Sequence, residues 1–181
     1  MRPRRPRSAA VACALTALLL GGCSTGRPHG AAREGLYEDV AGLDYNVFIT
    51  RELNLRDAED RDYYRGPEAP PGFALYGVFI QVCNHGHGYK RPDTTFTIKD
   101  NQGNRFHPLP LPSDDVFAYR PRRLSSGACI PEPGSAAFAG PTGGSLLLFK
   151  FPTSSLENRP LELLIEAPAG KPRSKRIELD I

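Results

Sequence analysis

Tryptophan is absent from the chain, and Met1 is its sole methionine. Without Trp, the aromatic platform common to sugar-binding domains is poorly supplied. With Met1 alone, a thioether-based Cu(I) site has no donors in the body of the chain. No Gly-x-Ser-x-Gly elbow, zinc-helix motif or Gly-rich phosphate loop is present, so no cofactor is expected. The four His and many Ser and Asp can assemble a triad only through folding, which ranks an extracytoplasmic hydrolase third among the functions considered. Net basicity is also missing once the N-terminus is set aside. Four of the 23 Lys and Arg (Arg2, Arg4, Arg5, Arg7) and none of the 20 acids fall in the first 22 residues, which leaves 19 against 20, a net −1. A nucleic-acid partner would need a basic face to release phosphate counterions and is not expected.

What the N-terminus does contain is a layout. Those four Arg form a cationic head, residues 8–20 form a mostly apolar stretch, and Leu20-Gly21-Gly22-Cys23 closes it with small residues. That is the pattern of a secretory signal. The stretch falls short of the ~20 residues that cross a bilayer, and it includes Cys13 and Thr16, against a retained transmembrane anchor. Its last four residues resemble the lipobox of bacterial lipoproteins. The resemblance implies cleavage before Cys23, a thioether-linked diacylglyceryl group there with palmitate-type chains, and a location on the extracytoplasmic face of a membrane. Two acyl chains suffice for stable anchoring, because each buried CH₂ contributes ~0.8 kcal/mol. The expected organisation is a signal over 1–22, a lipid-proximal flexible linker over 23–35 with Gly26, Pro28 and Gly30, and one folded domain over 36–181.

Cysteine usage fits an oxidising compartment. Cys13 leaves with the signal and Cys23 is committed to lipid, so Cys83 and Cys129 remain as a possible pair. Two free buried thiols are the alternative.

Periodicity reads as strands. Tyr45, Val47 and Ile49 share one face with Phe48 opposite. Tyr76, Val78, Ile80 and Val82 alternate in the strongest strand, with Phe79 opposite. Residues 95–99, a polar turn over 100–104 and a return over 105–109 read as a hairpin. Leu147/Phe149/Phe151, Leu161/Leu163/Ile165 and Ile177/Leu179/Ile181 alternate with Lys150, Glu162, Glu178 and Asp180, one side apolar and the other wet. Eighteen Pro and eighteen Gly exclude long helices. One short helix is expected over 57–64, with Asp57 as N-cap. The acids Asp57, Glu59, Asp60 and Asp62 lack the Gly and terminal Glu of a calcium loop and read as a solvated helix face. The expected fold is all-β: an immunoglobulin-like antiparallel sandwich of about seven to eight strands with one short helix. No Trp lies between the two Cys, so it is not of the antibody type.

The run Tyr76-Gly77-Val78-Phe79-Ile80-Gln81-Val82-Cys83-Asn84, the hairpin from Phe96 through Asp100 and Gly103 to Phe106, and Gly144-Ser145-Leu146-Leu147-Leu148-Phe149-Lys150-Phe151-Pro152 together resemble a family of secreted bacterial domains of unknown function. Its members are similar to small secreted immunogenic antigens. The resemblance implies a lipoprotein with an immunoglobulin-like sandwich and no shared catalytic residues. The segment 112–143, with Cys129, departs from the short family connection and leaves the disulfide outside the resemblance.

Two segments carry chemistry. In Asn84-His85-Gly86-His87-Gly88 the two imidazoles flank a Gly and can grip Cu²⁺ or Zn²⁺ if His107 or Asp93 folds in. A Gly-rich turn without metal is the plain alternative. Phe117-Ala118-Tyr119-Arg120-Pro121-Arg122-Arg123 offers aromatics and three Arg to an anionic headgroup, a cell-wall polymer or a protein partner. Its plain alternative is a loop that packs Phe117 and Tyr119 inward and leaves the Arg solvated. The leading expectation is a lipid-anchored envelope module, not an enzyme, which binds an unidentified envelope protein or cell-wall component. A metal-binding envelope protein using His85 and His87 is the alternative.

Overall fold

The computed structural model describes residues 30–170 and 174–181. Among them, ten strands form two sheets: β1 (Ala32–Arg33), β2 (Tyr37–Val40), β3 (Leu43–Glu52), β4 (Phe73–Cys83), β5 (Thr95–Lys99), β6 (Arg105–Phe106), β7 (Cys129–Ile130), β8 (Ser145–Pro152), β9 (Glu162–Glu166) and β10 (Lys175–Glu178). One sheet runs β1-β10-β9-β5-β6 and the other β2-β3-β4, with β8 and then β7 pairing with successive stretches of the far edge of β4. The order β3-β4-β8 facing β6-β5-β9-β10 is that of an immunoglobulin-like sandwich. Its excess over seven or eight strands lies in short pieces: β1, β2, β6 and β7 have two to four residues each. Among the described residues, three short helical segments stand where one was expected: α1 (Ala58–Tyr63), α2 (Ala136–Ala139) and a 3-10 turn over Thr153–Glu157.

Alternation explains the core between the sheets. Tyr76, Val78, Ile80 and Val82 of β4 and Leu147, Phe149 and Phe151 of β8 point at Phe96 and Ile98 of β5, Leu163 and Ile165 of β9, and Ile177 of β10. Tyr76 stacks on Phe151 with ring centroids 4.5 Å apart. The outward face of the same sheet is not wet as expected. Leu75, Phe79, Leu146 and Leu148 are buried under Leu53, Leu55 and Tyr63 in a second cluster, with Leu109, Leu111 and Phe117 packed against it. Covering both faces makes β4 buried from Ala74 onward.

Ile49 departs from the expected face. The β3–β4 register shifts between Val47 and Ile49, skipping Phe48. Such a bulge turns the following residues over: Thr50 becomes buried, and Phe48 and Ile49 are both exposed. The α1 reading also needs correction. Asp57 caps the helix by accepting from the Glu59 N–H. Asp60, however, is buried rather than solvated, and it accepts from Arg51 at 2.5 Å and from the Asn54 N–H at 2.8 Å. A buried carboxylate needs such partners. The hairpin return stops at Phe106, because Leu109 leaves to donate its N–H to Leu148 O and join the outer cluster.

The domain begins before residue 36. Ala32 and Arg33, inside the expected linker, pair in parallel with Ile177 and Glu178. Glu34 then joins the sheets, its two carboxylate oxygens accepting from the Thr50 and Asp180 N–H groups.

Candidate functional site

Strand β4 ends at Cys83, which stands directly opposite Cys129 of β7. The two are joined in a disulfide with Cα atoms 4.1 Å apart. The next residue, Asn84, is fully buried and ties two loops together. Its Nδ2 donates to Gly88 O at 2.8 Å and Leu124 O at 3.1 Å, its Oδ1 accepts from the Gly86 N–H, and its backbone pairs with Ala128 and Gly127. Farther along, Lys90 and Leu124 exchange both backbone hydrogen bonds. Lys90 Nζ donates to Gly42 O and lies so close under Gly86 that a side chain there would meet it at 2.6 Å. Gly88 turns with φ +72°, a conformation that favours Gly.

Segments 84–90 and 122–129, which contain the Asn84–Gly88 turn and the last two residues of the Phe117–Arg123 stretch, thus form one end of the sandwich. His85 and His87 stand exposed on either side of Gly86. His85 Nδ1 lies 2.8 Å from Asp44 Oδ2, and its ring is 6.4 Å from that of Tyr37. The Arg123 guanidinium sits 4.4 Å over the ring of exposed Tyr89, a cation–π contact. Arg122 donates to the Cys129 carbonyl and lies 3.8 Å from Glu132.

The rest of the Phe117–Arg123 stretch follows the packing alternative. Phe117 meets Tyr63 edge-on in the outer cluster, and Tyr119 meets Phe96 edge-on against the inner core. Arg120 is tied to the Leu111 and Pro112 carbonyls. All three Arg are exposed, and Arg122 and Arg123 are the ones joined to the histidine-bearing end, through Cys129 and Tyr89.

The expected metal set of His85 and His87 with His107 or Asp93 is not assembled. Asp93 pairs with Arg91, and His107 lies beside Thr97 on the other sheet. Among the described residues, the group of three donors near enough to share an ion is instead Cys83, His85 and Cys129, whose ligand atoms lie within 4.8 Å of one another. Thiolate is the form of Cys that ligates, and the bridge occupies both sulfurs.

Two phenols near this end stay protonated at neutral pH. Burial pushes Tyr45 up to about 12, assisted by the Asp93 charge and opposed by the Thr94 hydroxyl 3.0 Å away. Burial, with Tyr45 and Asp93 adding to it, raises Tyr119 further. Sequence reasoning missed Asp44 and Tyr37, which precede His85 by more than 40 residues. It also missed the joining role of Asn84, whose position at the end of the strongest strand was the available signal.

No protein-family model matches the chain, and no curated protein matches it. Among solved structures, the crystal structure of the yjhA protein from Bacillus subtilis is similar, with a TM-score of 0.46 and 8% identity, covering 82% of this chain and 99% of that one. A likeness at that score and identity says nothing about ligand or activity.

Proposed function

We propose that the chain is an exported, lipid-anchored, non-catalytic module of the cell envelope. It presents the loop end that carries His85, His87, Tyr89 and Arg123 to an envelope protein or cell-wall component. The observation that carries this reading is the order of basic head, apolar run and Leu20-Gly21-Gly22-Cys23, on which the likeness to secreted lipoproteins also rests. The closed Cys83–Cys129 pair supports it, since disulfides persist outside reducing compartments. No helix among the described residues is long and apolar enough to cross a membrane, so in this reading the attachment falls to Cys23.

Cys23 itself lies outside the described residues. Eight residues separate it from Ala32 in β1, a reach of at most about 30 Å at ~3.3–3.6 Å per residue. In this reading the sandwich is held within about its own diameter of the lipid. The test is Cys23→Ala in cells fed labelled fatty acid. The wild-type chain should take up label and be cleaved before residue 23, and the variant should do neither. A variant that is still processed and still membrane-bound would overturn the proposal.

A further inference from the structure

The grouping of Cys83, Cys129 and His85 has a use that a structural bridge alone does not require. We propose that these three residues form a thiol-gated Zn²⁺ site, closed while the disulfide is intact and opened by a dithiol reductant. The inference is independent of lipid attachment.

Three observations carry it. First, the donor atoms of Cys83, His85 and Cys129 already lie within 4.8 Å of one another; Cys83 is buried, but Cys129 is half-buried and His85 exposed, so reductant and metal approach from the Cys129 and His85 side. Second, the cysteines are directly opposed in an antiparallel ladder. Their Cα atoms are 4.1 Å apart, so once the S–S bond is broken the two sulfurs need only separate to the ~3.8 Å that two Zn–S bonds of ~2.3 Å span at a tetrahedral angle. Third, His85 is prepared as a ligand. Asp44 holds its Nδ1 at 2.8 Å, which leaves Nε2 for the metal and supplies one of the partners, a carboxylate, to which metal-bound histidines donate their other ring N–H.

The surrounding loops do not depend on the bridge. The Asn84 hydrogen bonds to Leu124, Ala128 and Gly127, the Lys90–Leu124 exchange, and the Val82–Ile130 pairing all join the same two segments. Reduction therefore leaves the thiols facing each other. In the opening step a dithiol gives two electrons and two protons to the Cys83–Cys129 bond. The S–S bond breaks, two thiols form, and the dithiol departs as its own disulfide. Zn²⁺ then displaces one proton from each thiol to solvent, forming two Zn–S bonds and one Zn–N bond to His85. Two thiolates neutralise the ion, and the fourth tetrahedral position is left to water.

The experiment uses the full chain in detergent with Cys13→Ser and Cys23→Ser, so that Cys83 and Cys129 are its thiols whatever the fate of the N-terminus. Zn²⁺ binding is measured by competition with a chromogenic chelator, before and after anaerobic reduction. Co²⁺ serves as the spectroscopic probe. The reduced protein should bind one ion, with a tetrahedral cobalt spectrum and a thiolate charge-transfer band, and the oxidised protein should show no measurable binding at that site. His85→Ala should abolish the tetrahedral spectrum. Asp44→Asn, a change on a partly exposed side chain that spares the fold, should weaken Zn²⁺ about 10- to 100-fold. Equal binding by reduced and oxidised protein, no binding by either, or affinity unchanged in both His85→Ala and Asp44→Asn would overturn the proposal.

Discussion

The β2-β3-β4-β8 sheet buries apolar side chains on both faces, but the two faces are covered in different ways. On the inner face, strand meets strand: Tyr76, Val78, Ile80, Phe149 and Phe151 oppose side chains that alternate on β5, β9 and β10. On the outer face, Leu75, Phe79, Leu146 and Leu148 meet no second sheet. They lie under Leu53, Leu55 and α1 on one side and the 109–117 excursion on the other. The inner core is held by pairing along whole ladders. The cover of the outer core is a six-residue helix and an irregular segment, fixed by a few contacts such as the Tyr63–Phe117 edge at 4.9 Å and the Asp60–Arg51 pair. Elements secured by few buried contacts open first.

The largest effect expected from this difference is at Phe149, which is fully buried between the sheets. Phe149→Ala should cost about 3–5 kcal/mol out of a total of perhaps 5–15. It should lower the whole melting transition, as measured by thermal and urea unfolding. Tyr63→Ala sharpens the contrast. Its cost should sit near the lower end of that range, about 3 kcal/mol, because a short helix can close over the gap. Amide exchange should rise in α1 and residues 109–117 while β4 and β9 stay protected. Uniform loss of protection across both sheets would mean that the outer cover is not separable.

A smaller effect lies at the β5–β6 turn, away from both cores. Burial pushes the Asp100 carboxyl up, but the Asn104 side chain and N–H, the Asn158 side chain and the Gln102 N–H all donate to it and hold it below the ordinary carboxylate range. A folded value below the unfolded one, near 3.9, stabilises the fold above that pH, and the contribution is lost as pH falls through the folded value. Asp100→Asn should cost about 1.5–3 kcal/mol at pH 7. Its urea midpoint should change less than that of the wild type as pH falls below about 4.

The same contrast explains what was legible in the sequence. Inner strands announce themselves, because Tyr76, Val78, Ile80 and Val82 must all face one way. The outer cover was visible only indirectly, in the apolar residues Leu75, Phe79, Leu146 and Leu148 at positions where a wet face would be polar. A strand buried on both faces reads as a near-continuous apolar run. Ile49 went to the wrong face because nothing in Tyr45 to Thr50 marks the bulge. Ala32–Arg33 was unreadable as a strand, since its pairing comes from Ile177–Glu178 at the other end of the chain. At the candidate site, the cysteine pair and the two histidines were visible as residue types with reactive spacing. Asp44, which orients His85, and Tyr89, which carries Arg123, acquire their roles only when the loops meet.

The proposed reading joins two features, attachment of an exported domain through Cys23 and its closure by the Cys83–Cys129 bridge. Intact mass of the protein extracted from membranes, without reductant, tests both at once. The predicted species begins at residue 23, carries acyl groups on Cys23, and has no alkylatable thiol after denaturation. A chain that still begins at residue 1, carries no lipid, or takes alkyl groups at Cys83 and Cys129 would contradict the account.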